Sequence, residues 1–208
     1  MIKDYRNELL RNKEIIEVKD FGAGSRVFSS NQRPVHAIAK NAGITLFRAK
    51  LLSRIVNYLN IENALELGTS LGIASAAITA NNSTKLTTIE GCKETSKIAR
   101  QQFEKFDLKN ADLRINKIEN VLSDLTGEHR PTKIKQKTSE KFDLIYFDGN
   151  HQKQATLEYF QKLLPLAHND SVFIFDDIHS SQGEPSILQD HTIAFRRAEA
   201  ENNSHPSC

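Results

Sequence analysis

The chain is poor in the features that mark secreted and membrane proteins. It holds only 2 cysteines in 208 residues, Cys92 and Cys208, which form neither a disulfide framework nor a metal-binding spacing. No apolar run approaches the length of a membrane span, and the charged start from Lys3 onward lacks the apolar core of a signal peptide. We therefore expect a cytoplasmic protein that makes no contact with a membrane.

An excess of charge of one sign is also missing. The 28 Lys+Arg residues nearly balance the 26 Asp+Glu residues, which argues against a dedicated nucleic-acid surface. The short basic run Lys133–Lys137 lies in a polar stretch between predicted elements, and we interpret it as a solvated loop. The length fits one domain with a sizeable core, and no internal repeat is present.

Short apolar runs alternate with helical patterns from residue 60 onward. The predicted strands are Asn63–Leu67, Lys85–Glu90, Ala111–Asn116, Phe142–Asp148 and Ser171–Asp177. The predicted helices between them are Ile73–Ala80, Cys92–Phe106, Ile118–Leu125 and Gln152–Ala167. This order predicts an α/β fold with a parallel sheet that helices cover on both faces.

The part of the chain before Ile61 is predicted to be helical or looped. Thr45–Leu59 carries apolar residues on one stripe, which is typical of an amphipathic helix. Phe21–Arg26 is a glycine-containing turn between two weaker helical patterns.

The segment Ala64–Ser75 is the most informative part of the chain. It is an apolar strand with an acid near its end, then a glycine turn, then an alanine-rich helix. A turn without Cβ atoms lets a ligand approach the backbone, and the helix start offers free N–H groups. The pattern is neither Gly-x-Gly-x-x-Gly, since Ser70 takes the place of the middle glycine, nor a P-loop. It predicts a crevice for a nucleotide-like ligand at the carboxyl end of the sheet.

Acidic residues also end three of the other four predicted strands. Glu90 ends the second strand, Asp148 ends the fourth, and Asp176 and Asp177 end the fifth. A carboxylate about 20 residues past a glycine turn can accept both hydroxyls of a ribose. Taken singly, each acid is also explained as a helix N-cap. Because acids recur at four of the five strand ends, a ligand site at this edge is the better explanation.

These motifs resemble those of the class I S-adenosylmethionine-dependent methyltransferases, in particular the catechol O-methyltransferase-like branch. Glu66-x-Gly68-x-x-x-Gly72 matches motif I, Glu90 matches the ribose-binding acid, and Asp148-Gly-Asn-His151 matches the fourth-strand motif. The resemblance covers about residues 44–180. It implies a Rossmann-like, doubly wound, mostly parallel sheet, and O-methylation of a small hydroxylated acceptor.

The resemblance also implies a role for individual residues. S-adenosyl-L-methionine would contact Glu66, Gly68, Ser70, Gly72, Ile73, Glu90, Lys117 and Ile118, the last two beside the adenine. In that branch three strand-end residues hold Mg²⁺ against paired hydroxyls, and Asp148, Asp176 and Asp177 match them. The branch's catalytic lysine is replaced by His151. An imidazole titrates near neutrality, so His151, with Asp148, is the candidate for removing the acceptor's proton.

Three segments follow from this interpretation: a helical cover (1–60), a cofactor-binding core (61–182) and an atypical, weakly structured tail (183–208). Complete family members add a final antiparallel strand pair, which we expect to be missing here. Gly183–Cys208 lacks the β-branched alternation of strands, so we predict that it adds none. The open apolar edge left on Ser171–Asp177 would favour a homodimer.

Two other functions are considered. A nicotinamide-dependent dehydrogenase would use Glu90 equally well, but it favours glycine at position 70 and gives no reason for the acids at positions 148, 176 and 177. A cofactor-binding protein without catalytic activity is favoured by the unusual C-terminal segment. Turnover with any acceptor separates the last alternative from an enzyme.

Overall fold

The computed structural model describes residues 1–21, 28–81, 83–127, 141–150, 152–176 and 194–197, the last by backbone alone. In the N-terminal part, α1 spans Ile2–Arg11, β1 Ile15–Glu17, β2 Gln32–Pro34, α2 Val35–Asn41 and α3 Leu46–Tyr58.

Helix α3 forms where the apolar stripe predicts it. Thr45 caps it by accepting a hydrogen bond from the Arg48 N–H at 3.3 Å, and Ala49, Leu52 and Val56 are its buried residues.

The sequence predicted a helical or looped N-terminal cover, but the structure also has a pair of short strands there. Strands β1 and β2 pair antiparallel, and Val18 N–H continues the contact by donating to Asn31 at 2.8 Å. Each strand has three residues of which one is buried, Ile16 and Arg33 respectively. Such short strands carry no alternation that a sequence pattern can reveal.

The central sheet confirms the predicted parallel strands. They are β3 Asn63–Leu67, β4 Lys85–Glu90, β5 Ala111–Ile115, β6 Phe142–Phe147 and β7 Ala167–Phe175. In the described residues the sheet order is β5-β4-β3-β6-β7-β8, and β3 to β7 run parallel to one another. The change of direction between the β3–β4 and β3–β6 connections lies next to β3, where ligands bind in open α/β sheets.

Helices cover both faces of this sheet. They are α4 Ile73–Ile78, α5 Lys93–Lys105, α6 Ile118–Thr126 and α7 Lys153–Leu163, followed by one 3₁₀ turn at Leu164–Leu166. Alternate residues of β6 enter two separate apolar cores: Leu144 and Tyr146 pack with α1 to α5, and Ile145 and Phe147 pack with α6 and α7. No helix in the described ranges has the length and hydropathy of a membrane span.

The prediction that Gly183–Cys208 adds no strand to the sheet is wrong. Strand β8, Ala194–Arg197, pairs antiparallel with β7, and Phe195 is the register partner of Ile174. Pairing at an edge is driven by the backbone N–H and C=O groups of β7, so it does not require β-branched alternation in the added strand. The paired part of β7 is therefore no open edge, and the homodimer prediction loses this argument. The rest of Gly183–Cys208 lies outside the described residues.

Candidate active site

The turn after β3 is built on residues in the left-handed backbone region. Gly68, Ser70 and Gly72 have φ values of +98°, +49° and +78°. The N–H groups of Gly68 and Thr69 both donate to the Ile89 carbonyl at 3.0 Å, which ties the turn to the end of β4. The turn therefore brings its backbone beside the acid that ends β4.

Gly68 is required by close contact between two strand ends. A Cβ atom there would lie 2.5 Å from the Asp148 carbonyl oxygen and 2.8 Å from the Gly149 Cα. The opposite position is also tight, although less so, since a Cβ on Gly149 would lie 3.1 Å from the Leu67 carbonyl oxygen. The two glycines place the β3 turn and the Asp148 backbone side by side.

Glu90 holds its carboxylate at the centre of this edge. Its Oε2 accepts the Ser70 N–H at 2.7 Å and its Oε1 accepts the Cys92 N–H at 2.8 Å. Burial raises the pKa of Glu90, although these backbone hydrogen bonds oppose the shift. The carboxylate is thus fixed in position while much of its hydration is removed.

A cleft of about 210 Å³ opens over this carboxylate. Six of the sequence-predicted site residues line it: Gly68, Ser70, Glu90, Lys117, Ile118 and Asp148. The described structure thus brings together residues from the ends of β3, β4, β5 and β6.

The N-terminal cover forms one wall of the cleft. Val18, Lys19 and Phe21 line it. A Cβ atom on Gly91 would lie 2.9 Å from the Phe21 ring, and the Lys117 Nζ lies 5.8 Å from the centre of that ring. A single aromatic residue beside a glycine-rich stretch has no periodic signal, so only the fold reveals its position.

Asn150 forms the opposite wall together with α6 and α7. Its Nδ2 donates to the Tyr159 hydroxyl at 3.0 Å, and that hydroxyl donates to the Glu119 carboxylate. Asn150, Tyr159 and Glu119 all line the cleft. The Oδ1 of Asn150 is buried and accepts no hydrogen bond in the described part of the chain, so the cleft wall carries an unused acceptor.

Three of the sequence-predicted cofactor residues lie behind the cleft. Glu66 is fully buried and accepts hydrogen bonds from Ser75 Oγ at 2.5 Å and Thr88 Oγ1 at 2.6 Å. Burial raises the pKa of Glu66 to about 7, against these two hydrogen bonds. Gly72 and Ile73 are also buried.

Gly72 shows why a motif glycine can be buried. A Cβ atom there would lie 2.5 Å from both the Phe103 ring and the Tyr5 hydroxyl. The missing side chain thus makes room for packing beneath the turn.

The ends of β6 and β7 carry the predicted metal ligands. Asp148 lines the cleft, whereas Asp176 lies one strand away, with its N–H donating to the Phe147 carbonyl at 2.8 Å. The carboxylate of Asp176 accepts Arg48 Nη1 at 2.9 Å and the Tyr146 hydroxyl at 3.0 Å. Asp177 and His151 lie outside the described residues. Among those described, no three metal-ligating side chains form a group that would hold an ion.

Known proteins share this domain and this fold. Residues 65–178, more than half of the chain, match a family model described as a methyltransferase domain. A comparison with curated proteins gives no match.

Solved structures match the fold at low sequence identity. An O-methyltransferase from Bacillus cereus in complex with SAH has a TM-score of 0.56 at 24% identity, covering 67% of this chain and 61% of that one. The O-methyltransferase TomG from Streptomyces achromogenes, in complex with SAM, has a TM-score of 0.56 at 22% identity, covering 65% and 57%. Cofactor-bound Rv0187 from MTB has a TM-score of 0.58 at 13% identity, covering 84% and 64%.

The chain spans about three fifths of the length of these solved proteins. The match covers β3 to the end of β7, the strands whose carboxyl ends build the cleft, and the sheet has the Rossmann-like arrangement of class I S-adenosylmethionine-dependent methyltransferases. The chain belongs to the methyltransferase domain family.

Proposed function

We propose that the cleft binds S-adenosylmethionine and that the chain transfers its methyl group to the oxygen of a small hydroxylated acceptor. The observation that carries the proposal is the position of Glu90, fixed by Ser70 and Cys92 N–H groups beside the glycine turn and facing the cleft. Two solved neighbours of the same fold are described as O-methyltransferases in complex with SAH and SAM.

The described residues fit this cofactor. The Glu90 carboxylate lines the cleft, and a carboxylate at this position can accept the ribose hydroxyls. Lys117 and Ile118 flank the adenine in this proposal, and the bare backbone at Gly68 and Ser70 faces the methionine part.

Glu66, Gly72 and Ile73 contribute from behind the cleft in this proposal. Buried as they are, they shape the turn rather than line the cleft. Glu66 connects α4 to β4 through its hydrogen bonds to Ser75 and Thr88.

The cofactor supplies a methyl carbon made electrophilic by its bond to a positively charged sulfur. The acceptor oxygen forms a bond to this carbon while the carbon–sulfur bond breaks, its electron pair goes to sulfur, and the acceptor's proton must be removed. The protein supplies orientation and exclusion of water. We propose His151 as the proton acceptor, with Asp148 positioning the acceptor hydroxyl from the cleft wall.

The proposal is tested by separating binding from transfer. S-adenosylhomocysteine is titrated calorimetrically into the protein, with NADH as the competing dinucleotide. We expect heat from the first ligand only. Methyl transfer from radiolabelled S-adenosylmethionine is then followed over a panel of phenols, catechols and aliphatic alcohols. Binding of NADH alone would favour a dehydrogenase, and cofactor binding without transfer to any acceptor would favour a non-catalytic protein.

A further inference from the structure

A buried cluster of three side chains lies at the ends of β6 and β7, next to the cleft. Asp176 is its centre, with Arg48 from α3 and Tyr146 from β6 as partners. Only 7% of the Asp176 side chain and 16% of the Arg48 side chain are exposed. The Asp176 backbone pairs with Phe147, which directly precedes the cleft residue Asp148, so the cluster faces the same edge of the sheet.

We infer that the Arg48 guanidinium supplies the positive charge at this edge, and that Asp176 is its partner rather than a ligand of a divalent cation. That the charge serves the acceptor rests on the proposed function. That Arg48 excludes a cation stands on the geometry alone.

Both carboxylate oxygens of Asp176 already accept a hydrogen bond. Oδ1 accepts from Arg48 Nη1 at 2.9 Å, a charge-assisted hydrogen bond, and Oδ2 accepts from the Tyr146 hydroxyl at 3.0 Å. The Tyr146 hydroxyl is the donor in the second of these hydrogen bonds. These two donors already hold the Asp176 carboxylate in the place where it would have to turn to bind a metal ion.

The positive charge of Arg48 also makes this edge unfavourable for a divalent cation. Mg²⁺ binds hard oxygen ligands and gives up its hydration reluctantly, so it needs strongly negative surroundings. A guanidinium in contact with one of the candidate ligands cancels that ligand's charge and repels a nearby cation.

A guanidinium in place of a metal ion would also change which acceptors the site can bind. A metal ion grips two adjacent hydroxyls as a chelate, whereas a planar guanidinium can stabilise one anionic oxygen through hydrogen bonds. Under the proposed function, this edge would suit acceptors with a single ionisable hydroxyl.

The inference is tested with Mn²⁺ alone, a substitute for Mg²⁺ whose free ion gives an electron paramagnetic resonance signal that binding removes. The full chain is titrated as wild type, Arg48→Met, Arg48→Lys and Asp176→Asn. The matched control is Arg54→Met, an exposed arginine on the same helix. We expect wild type, Arg48→Lys and Arg54→Met to leave the signal nearly unchanged. We expect Arg48→Met, which removes the positive charge beside Asp176, to bind Mn²⁺ more than about tenfold more tightly.

Two outcomes would overturn the inference. One is Mn²⁺ binding by the wild type that Asp176→Asn abolishes. The other is folded Arg48→Met protein that binds Mn²⁺ no better than wild type. Melting curves establish that each variant is folded, and the wild type with Arg48→Lys decides the question if Arg48→Met does not fold. The titration uses neither cofactor nor acceptor. Loss of S-adenosylhomocysteine binding would therefore contradict the proposed function and leave this result standing.

Discussion

The two ends of the central sheet hold carboxylates in different ways. At the amino end, Asp143 accepts the backbone N–H groups of Glu62 and Asn63 and the ring of His168, each at 2.8 Å. Partial burial raises the pKa of Asp143, but these hydrogen bonds outweigh it and bring the pKa below its ordinary value. At the carboxyl end, Glu90 also accepts two backbone N–H groups, yet burial wins and raises its pKa.

The neighbours of the two carboxylates differ in the same sense. At the amino end, Thr84 Oγ1 donates to the Ile61 carbonyl and Ser171 Oγ to the Phe142 carbonyl, each at 2.7 Å. Near the carboxyl end, Glu66 Oε1 and Asn150 Oδ1 are buried and have no hydrogen-bond partner among the described residues. Hydrogen bonding at the amino end serves the fold, whereas these two buried acceptors near the carboxyl end have no such partner in the described part of the chain.

The largest effect that would test this comparison is expected for Gly68→Val. The added Cβ would collide with the Asp148 carbonyl and Gly149, so the cleft should lose cofactor binding altogether. Gly127→Val is the matched control, because Gly127 has a similar φ of +74° at the end of α6. Both variants lose stability through backbone strain of about 1–3 kcal/mol, but only Gly68→Val should lose the calorimetric signal with S-adenosylhomocysteine. Retained binding in Gly68→Val would contradict the assignment of the turn.

Glu66→Gln tests whether a carboxyl near the carboxyl end is held against its preferred charge state. The pKa of Glu66 is raised from 4.5 to about 7, so folding favours its protonated form. This contribution to stability is present below about pH 4.5 and is lost as pH rises through about 7. The loss is about 3 kcal/mol.

Urea unfolding at a series of pH values measures this loss. Because glutamine is always neutral, Glu66→Gln should flatten the decline between about pH 5 and about pH 8, whereas the exposed Glu62→Gln should not. An unchanged decline in Glu66→Gln would show that another group causes it.

Glu90→Ala is expected to lower the affinity for S-adenosylhomocysteine by about 1.5–3 kcal/mol, the range of hydrogen bonds to a charged group. Glu94→Ala removes the same charge from an exposed position on α5 and is the control. Calorimetry is the measurement. Equal affinities in both variants would remove Glu90 from the ribose site.

The smallest effect is expected at the amino end. Because the pKa of Asp143 is lowered in the folded state, its contribution to stability is present above its ordinary value of 3.8 and is lost as pH falls through the folded value. Asp143 is partly exposed, and solvent screening limits the contribution to about 1 kcal/mol. Asp143→Asn should therefore reduce the loss of stability in acid, measured by thermal melting, and should leave S-adenosylhomocysteine binding unchanged. A weakened affinity would mean that the two ends are not independent.

The sequence predicted the strands of the sheet well because burial leaves a strong local signal. The predicted bounds of β3 and β4 agree with the structure, since both strands are largely buried and a polar turn ends each one. Helix α3 carries both an apolar stripe and the capping residue Thr45, two signals that agree.

Contacts between distant residues could not be predicted in this way. Arg48 and Asp176 lie 128 positions apart, and neither residue's neighbours indicate the pair. Phe21 is a single aromatic residue, and its packing on Gly91 depends on the path of the N-terminal cover. Strand β8 owes its pairing to the backbone of β7 and not to its own pattern. Local patterns describe elements, whereas the site depends on which elements meet.

The contact between the Phe21 ring and Gly91 also affects when the cleft can form during protein synthesis. Phe21 leaves the ribosome about 70 residues before Gly91 and 127 residues before Asp148 on the facing side of the cleft. At ordinary translation rates the second interval lasts roughly 6 to 25 seconds. Phe21 can pack on Gly91 only after the first interval, and the facing side of the cleft is not complete until the end of the second. The cover that comes first in the chain is therefore among the last parts of the cleft to reach its place.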